Sequence, residues 1–143
     1  MEQVEMSIDV DVTPTQFYQL ITDFERYPGF VPQQTGAKVV TRSGETWRVA
    51  FELTVARKLH YHLDLKGDPG RSLDWELVEG DMMTANRGGW TLEPLNDGNA
   101  TRATYRMSVE LRGFVPRSVT KNLVTLTLPA TLKAFKAEAE RRA

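Results

Sequence analysis

The chain of 143 residues contains no cysteine and only two histidines, and these shortages exclude more chemistry than any motif adds. Without thiols there are no disulfides, no thiolate metal sites and no cysteine nucleophile. His60 and His62 stand at i, i+2, a spacing that can chelate a metal, but alternation places them with Lys58, Asp64 and Lys66 on a face assigned to solvent. Glu52, Asp64, Asp74 and Glu76 have the same parity, so no buried carboxylate with a raised pKa is expected among them. There is no nucleophile elbow and no Walker loop, and Gly88-Gly89-Trp90 lies inside a strand pattern with no helix start behind it. No catalytic residue, metal ligand or cofactor is therefore assigned.

Long apolar runs are missing as well, and no segment approaches the ~20 residues needed to span a bilayer. The first eleven residues carry Glu2, Glu5, Asp9 and Asp11, the opposite of a basic secretory start, and the chain reads as cytoplasmic. The net charge of −1 hides an asymmetry: from Arg112 to Ala143 there are seven Lys or Arg against two Glu. A basic amphipathic segment on an acidic body is a candidate for peripheral contact with a membrane surface. A general nucleic-acid surface is not expected, because the chain is slightly acidic and no face interleaves basic and aromatic residues.

What is present is alternation. Val49, Phe51, Leu53 and Val55 alternate with polar or small neighbours, as do Leu59, Tyr61, Leu63 and Leu65. Successive strand side chains point to opposite faces, so each run makes a sheet with one apolar and one wet face. Strands are expected over Val4–Val12 and near Ala37–Arg42, Thr46–Val55, Lys58–Lys66, Ser72–Glu79, Met83–Leu95 and Ala100–Arg112, separated by Gly-, Asn- and Asp-rich turns. An antiparallel meander is the economical topology. Thr13-Pro14 signals a helix start, Phe17, Leu20, Ile21 and Phe24 give its buried stripe, and the prolines of Tyr27–Pro32 permit only a short turn after it. The C-terminal segment carries two apolar arcs, Val115 to Ala130 and Val124 to Ala139, which exchange near Pro129, so a helix kinked or restarted near Leu128 is expected.

The fold class is thus α+β, a curved sheet of about seven antiparallel strands around a long C-terminal helix, read as one domain over residues 1–143. A sheet curled round a helix encloses apolar space. The inward set is Trp47, Phe51, Leu53, Tyr61, Leu63, Trp75, Leu77, Tyr105, Met107 and Val109, joined by Trp90 and Leu92 after a parity change placed at Gly88-Gly89. Apolar walls with a few polar handles are the general form of a small-molecule site. Asn86 and Arg87, just before the glycines, are further candidates, and an inward Arg87 would demand a carboxylate or an anionic ligand. Leu123 and Leu126 are expected to face Tyr61 and Trp75 as a lid, with Phe30 closing the far rim.

This order of elements resembles the helix-grip fold of the START, birch-pollen-allergen and polyketide cyclase superfamily. The residues that carry the likeness are Tyr27-Pro28-Gly29-Phe30-Val31-Pro32, Trp75–Gly80, Gly89–Leu95 and Asp97-Gly98. Within the superfamily the chain is similar to the bacterial polyketide cyclase/dehydrase group and to coenzyme Q-binding START-like proteins. The resemblance implies a cavity for a lipid, quinone, polyketide or other apolar molecule between sheet and terminal helix. Three functions remain open on the sequence: a hydrophobic-ligand carrier; a cyclase or dehydratase using Tyr61, Tyr105, Asn86 or Arg87; and a module docking on a membrane, a ribosome or a protein.

Overall fold

The computed structural model describes residues 3–55, 57–112 and 117–143, and the side chains of all of these except 55 and 117–126. Strand β1 (Val4–Val10) leads into helix α1 (Pro14–Ile21) and a 3-10 helix over Phe24–Gly29. Six strands follow: β2 (Gln34–Ser43), β3 (Thr46–Val55), β4 (Arg57–Asp68), β5 (Ser72–Gly80), β6 (Met83–Leu95) and β7 (Ala100–Leu111). Helix α2 (Arg117–Arg142) closes the chain. The sheet is antiparallel throughout, in the order β1-β7-β6-β5-β4-β3-β2, so the first strand pairs with the last and every other neighbour is joined by a hairpin.

Local chemistry accounts for the entry to α1. Thr13 Oγ1 accepts the Gln16 amide at 3.1 Å while the Gln16 side chain accepts the Thr13 amide at 2.9 Å, with Pro14 at the first helical position. Phe17, Leu20 and Ile21 are then buried, and Phe17 meets Trp90 edge to face at 5.2 Å. The described half of α2 buries Leu128, Leu132, Phe135 and Ala139, one face at spacings of four, three and four. This is the second of the two expected arcs. The helix does not restart at Pro129, which is carried inside one continuous element. The arc from Val115 to Leu126 falls outside the described side chains.

Parity in β6 changes at a different place from the one expected. The register of β6 against β7 slips between Met83 and Ala85, upstream of the glycines, and from there Asn86, Gly88, Trp90 and Leu92 oppose Val109, Met107, Tyr105 and Ala103. The glycines answer to close approach instead. A Cβ on Gly88 would stand 2.1 Å from the Arg106 carbonyl oxygen and 2.9 Å from the Trp75 ring, and one on Gly89 would stand 2.6 Å from the Leu73 carbonyl oxygen. Gly88→Ala has no flexible neighbour to displace, and we expect it to destabilise the protein by at least ~1–3 kcal/mol. Chemical denaturation reads this, and an unchanged midpoint would show that the two strands can separate there at little cost.

The outer face carries ion pairs between neighbouring strands, Arg48 with Asp64 at 2.8 Å, Arg102 with Asp9 at 2.9 Å and Arg87 with Glu76 at 3.2 Å, and one that reaches across β6, Arg106 of β7 with Asp74 of β5 at 3.3 Å. His60 lies there between Glu52 and Asp81, and His62 faces Glu79, on the wet side that alternation assigns them. Among the described residues no group of three or more His, Asp or Glu is arranged to hold a metal, and no helix is long and apolar enough to cross a membrane.

Candidate functional site

Between the concave sheet and α2 lies a cavity of two adjoining chambers that share part of their lining. The wider, about 380 Å³, is walled by Leu53, Leu59, Met83, Val109 and Leu111, by Val31 to Gln34 after the 3-10 helix, and by Thr127 and Thr131 of α2. The narrower, about 100 Å³, reaches toward Leu73, Trp90 and Phe135. Val31, Gln34, Tyr61, Asn86, Tyr105, Met107 and Thr131 border both, which marks the junction where the two adjoin. The lining is predominantly apolar, and its polar groups are few and separately placed.

Each expected residue can now be located. Phe51, Leu63, Trp75 and Trp90 line the narrow chamber, Leu53 the wide one, and Tyr61, Tyr105, Met107 and Asn86 both. Trp47 is buried but stands elsewhere, edge-on to Phe24 at 5.3 Å with the Arg42 guanidinium over its ring at 5.2 Å. Leu77 packs at the edge of the core and borders neither chamber. Phe30 lies behind the cavity, edge-on to Phe135 at 5.2 Å, and the rim it was expected to close is formed by Val31, Pro32, Gln33 and Gln34. Arg87 is not at the site. With the parity change at Met83–Ala85 and Asn86 turned inward, the next side chain must point out, and Arg87 is exposed beside Glu76. Leu123 and Leu126 fall outside the described side chains.

Gln34, Met83, Thr131 and Arg57 are among the lining residues that had no place in the inward set. Gln34 opens β2 three residues earlier than the sequence suggests, and its Nε2 donates to the Glu52 carbonyl at 2.9 Å. Arg57 stands exposed in the lining of the wide chamber and is the single charged group lining either chamber among the described residues.

The polar handles are neutral at physiological pH. Burial pushes the Tyr61 hydroxyl up to about 12, against a side-chain hydrogen bond with Gln34 that lowers it, and burial drives Tyr105 higher still. Both are therefore protonated. Trp75 Nε1 donates to Asn86 Oδ1 at 3.1 Å, and Tyr27 donates to the Ile21 carbonyl and is held protonated by the same desolvation. Neither a carboxylate nor an imidazole lines either chamber among the described residues.

A seven-stranded antiparallel sheet gripping a long C-terminal helix over an apolar cavity defines the helix-grip, START-like class. Residues 10–136 match the family "Polyketide cyclase / dehydrase and lipid transport", and the chain belongs to that family. The ribosome association toxin RatA of Vibrio cholerae is 30% identical over 111 residues, covering 77% of this chain and 76% of that protein. A START superfamily protein from Mycobacterium smegmatis superposes with a TM-score of 0.89 at 19% identity, covering 99% of both chains. The Zhui aromatase/cyclase from Streptomyces sp. R1128 does so with a TM-score of 0.88 at 18% identity, over 99% of this chain and 94% of that one. At these identities the two structures speak to the fold alone.

Proposed function

We propose that the protein binds and carries a hydrophobic small molecule, of lipid, quinone or polyketide type, in the cytoplasm. The observation that carries this reading is the two-chamber cavity, whose walls are apolar and aromatic and whose polar groups, among the described residues, are uncharged apart from Arg57. A volume of about 380 Å³ in the wide chamber lies in the range of ligand sites, ~300–1,000 Å³, and far above the space of one water. Ligand entry would bury apolar surface, worth about 25 cal/mol per Å². The family description, which joins cyclases with lipid transport, supports the ligand class without choosing a reaction. Titration with the neutral dye N-phenyl-1-naphthylamine tests the reading. Saturable uptake of one dye per chain with a blue-shifted emission is expected, and a linear, unsaturable signal would count against it.

A second reading, docking on a ribosome, is favoured by the identity to RatA. The described charges at the end of α2 support it less. Glu138 is held down to about 2 by hydrogen bonds from Arg141 and Arg142, Arg142 also pairs with Asp23 at 3.1 Å, and Lys136 is tied to Glu140 at 3.0 Å. Those cations are already engaged within the protein, which also weakens the case for peripheral membrane contact. Co-sedimentation with ribosomal subunits at physiological salt separates the readings, and protein confined to the supernatant removes the second.

A further inference from the structure

Among the described residues, two hydrogen-bond donors inside the cavity have only sulfur as acceptor. Asn86 is 6% exposed, and its Oδ1 is taken by the Trp75 indole. Its Nδ2, which carries two protons, has among the described residues one hydrogen-bond partner, the Met83 thioether at 3.9 Å. The Tyr105 hydroxyl likewise donates to the Met107 thioether, at 3.3 Å. Thioether sulfur is a weak acceptor, so both donors are under-used in a setting where buried polar groups normally find oxygen or nitrogen. Both flank one group: Trp75 is hydrogen-bonded to Asn86, and its ring lies 5.4 Å from that of Tyr105.

We infer that the junction of the two chambers receives a neutral acceptor oxygen, of the ketone, quinone or ester carbonyl kind, borne by an otherwise apolar ligand and held by Asn86 Nδ2 and Tyr105 Oη. This rests on the ligand-binding reading above and narrows its ligand class. The oxygen must be an acceptor, because Asn86 Nδ2 can only donate, and the Tyr105 hydroxyl already acts as a donor toward Met107. It must be uncharged, because among the described residues no Lys or Arg borders the narrow chamber and Arg57 lines only the wide one, so a carboxylate at the junction would lose its hydration without a cationic partner from these walls. The methionines suit the role. Their flexible side chains hold the donors in the empty site and can yield to a better acceptor with little rearrangement. The aromatic surfaces of Trp75, Trp90 and Tyr105 around the same point favour a flat, conjugated frame next to the carbonyl.

The test is a pair of probes of nearly one shape, 9-fluorenone and fluorene, which differ in a carbonyl against a methylene. We expect the parent protein to bind fluorenone about tenfold more tightly, the upper range of what one net hydrogen bond supplies. The carbonyl stretch of bound fluorenone is expected to move to lower frequency than in hexane. Tyr105→Phe, which keeps the ring against Trp75 and Trp90, should cut the ratio of fluorenone to fluorene affinity severalfold, and Asn86→Leu should lower the same ratio. Should Asn86→Leu fail to fold because it strands the Trp75 indole, Tyr105→Phe and the stretch in the parent decide the matter. Equal affinities for the two probes, an unmoved stretch, or a preference intact in Tyr105→Phe would overturn the inference and leave the carrier reading standing. Binding of neither probe would overturn both.

Discussion

Phe135→Ala is expected to lower stability by ~3–5 kcal/mol, the cost of deleting a buried phenylalanine and leaving its space empty. The ring is 3% exposed and meets Tyr27, Phe30 and Trp90 edge to face at 5.3, 5.2 and 5.2 Å. It thereby joins α2, the segment after α1 and the middle of β6, three elements that no hairpin connects. Each edge-to-face pair adds about 0.5–1.5 kcal/mol beyond burial, which places the loss toward the upper end of that range. Because Phe135 also walls the narrow chamber, the variant should hold larger apolar probes than the parent at a temperature where both are folded. Denaturant titration and probe binding measure the two effects separately. A loss under ~1 kcal/mol would mean that α2 is anchored mainly elsewhere.

The second large effect is on binding. Thr131 is half-buried on α2 and borders both chambers, so Thr131→Trp should place an indole across their junction. The hydroxyl it removes is spent on the Thr127 carbonyl of the same helix at 3.2 Å, a local bond whose loss costs little. We expect a folded protein, destabilised by ~1–3 kcal/mol through overpacking, with uptake of N-phenyl-1-naphthylamine reduced at least tenfold. Circular dichroism with the dye titration checks this. Unchanged uptake would place the dye outside the cavity.

How far the sequence disclosed this arrangement depends on which strand is considered. In β3 and β4 the alternation was unbroken, and the inward positions of Phe51, Leu53, Tyr61 and Leu63 followed from side-chain period alone. In β6 the face of every residue hangs on one irregularity, and it occurs at Met83–Ala85 without a glycine to announce it. Met82, just before it, takes φ = 60°, a left-handed conformation that a methionine gives no reason to suspect. The glycines at 88 and 89 drew the parity change to themselves because paired glycines in a strand commonly mark such a break, and here they serve backbone and ring contact. Gln34 was hidden for a similar reason. Gln33 has φ = 68°, and this turns the chain out of the Val31–Pro32 segment and into β2 three residues early. The cavity's walls were therefore legible as a pattern, whereas its rim, and the choice between Asn86 and Arg87, depended on two backbone conformations that leave no compositional trace. At Pro129 the restart that was one of the two expected outcomes does not occur: a helix can carry an interior proline when packing holds it, and α2 buries Leu128 and Leu132 on either side of it.

The central claim is that the cavity holds an apolar guest, and the most direct measurement is native mass spectrometry of the protein purified under mild conditions, before and after extraction with an organic solvent. The account predicts a bound neutral mass at one per chain that disappears on extraction, and that the extracted protein regains when incubated with the extract. A protein that is empty on isolation, and still empty after incubation with the organic extract of its host cells, would contradict it.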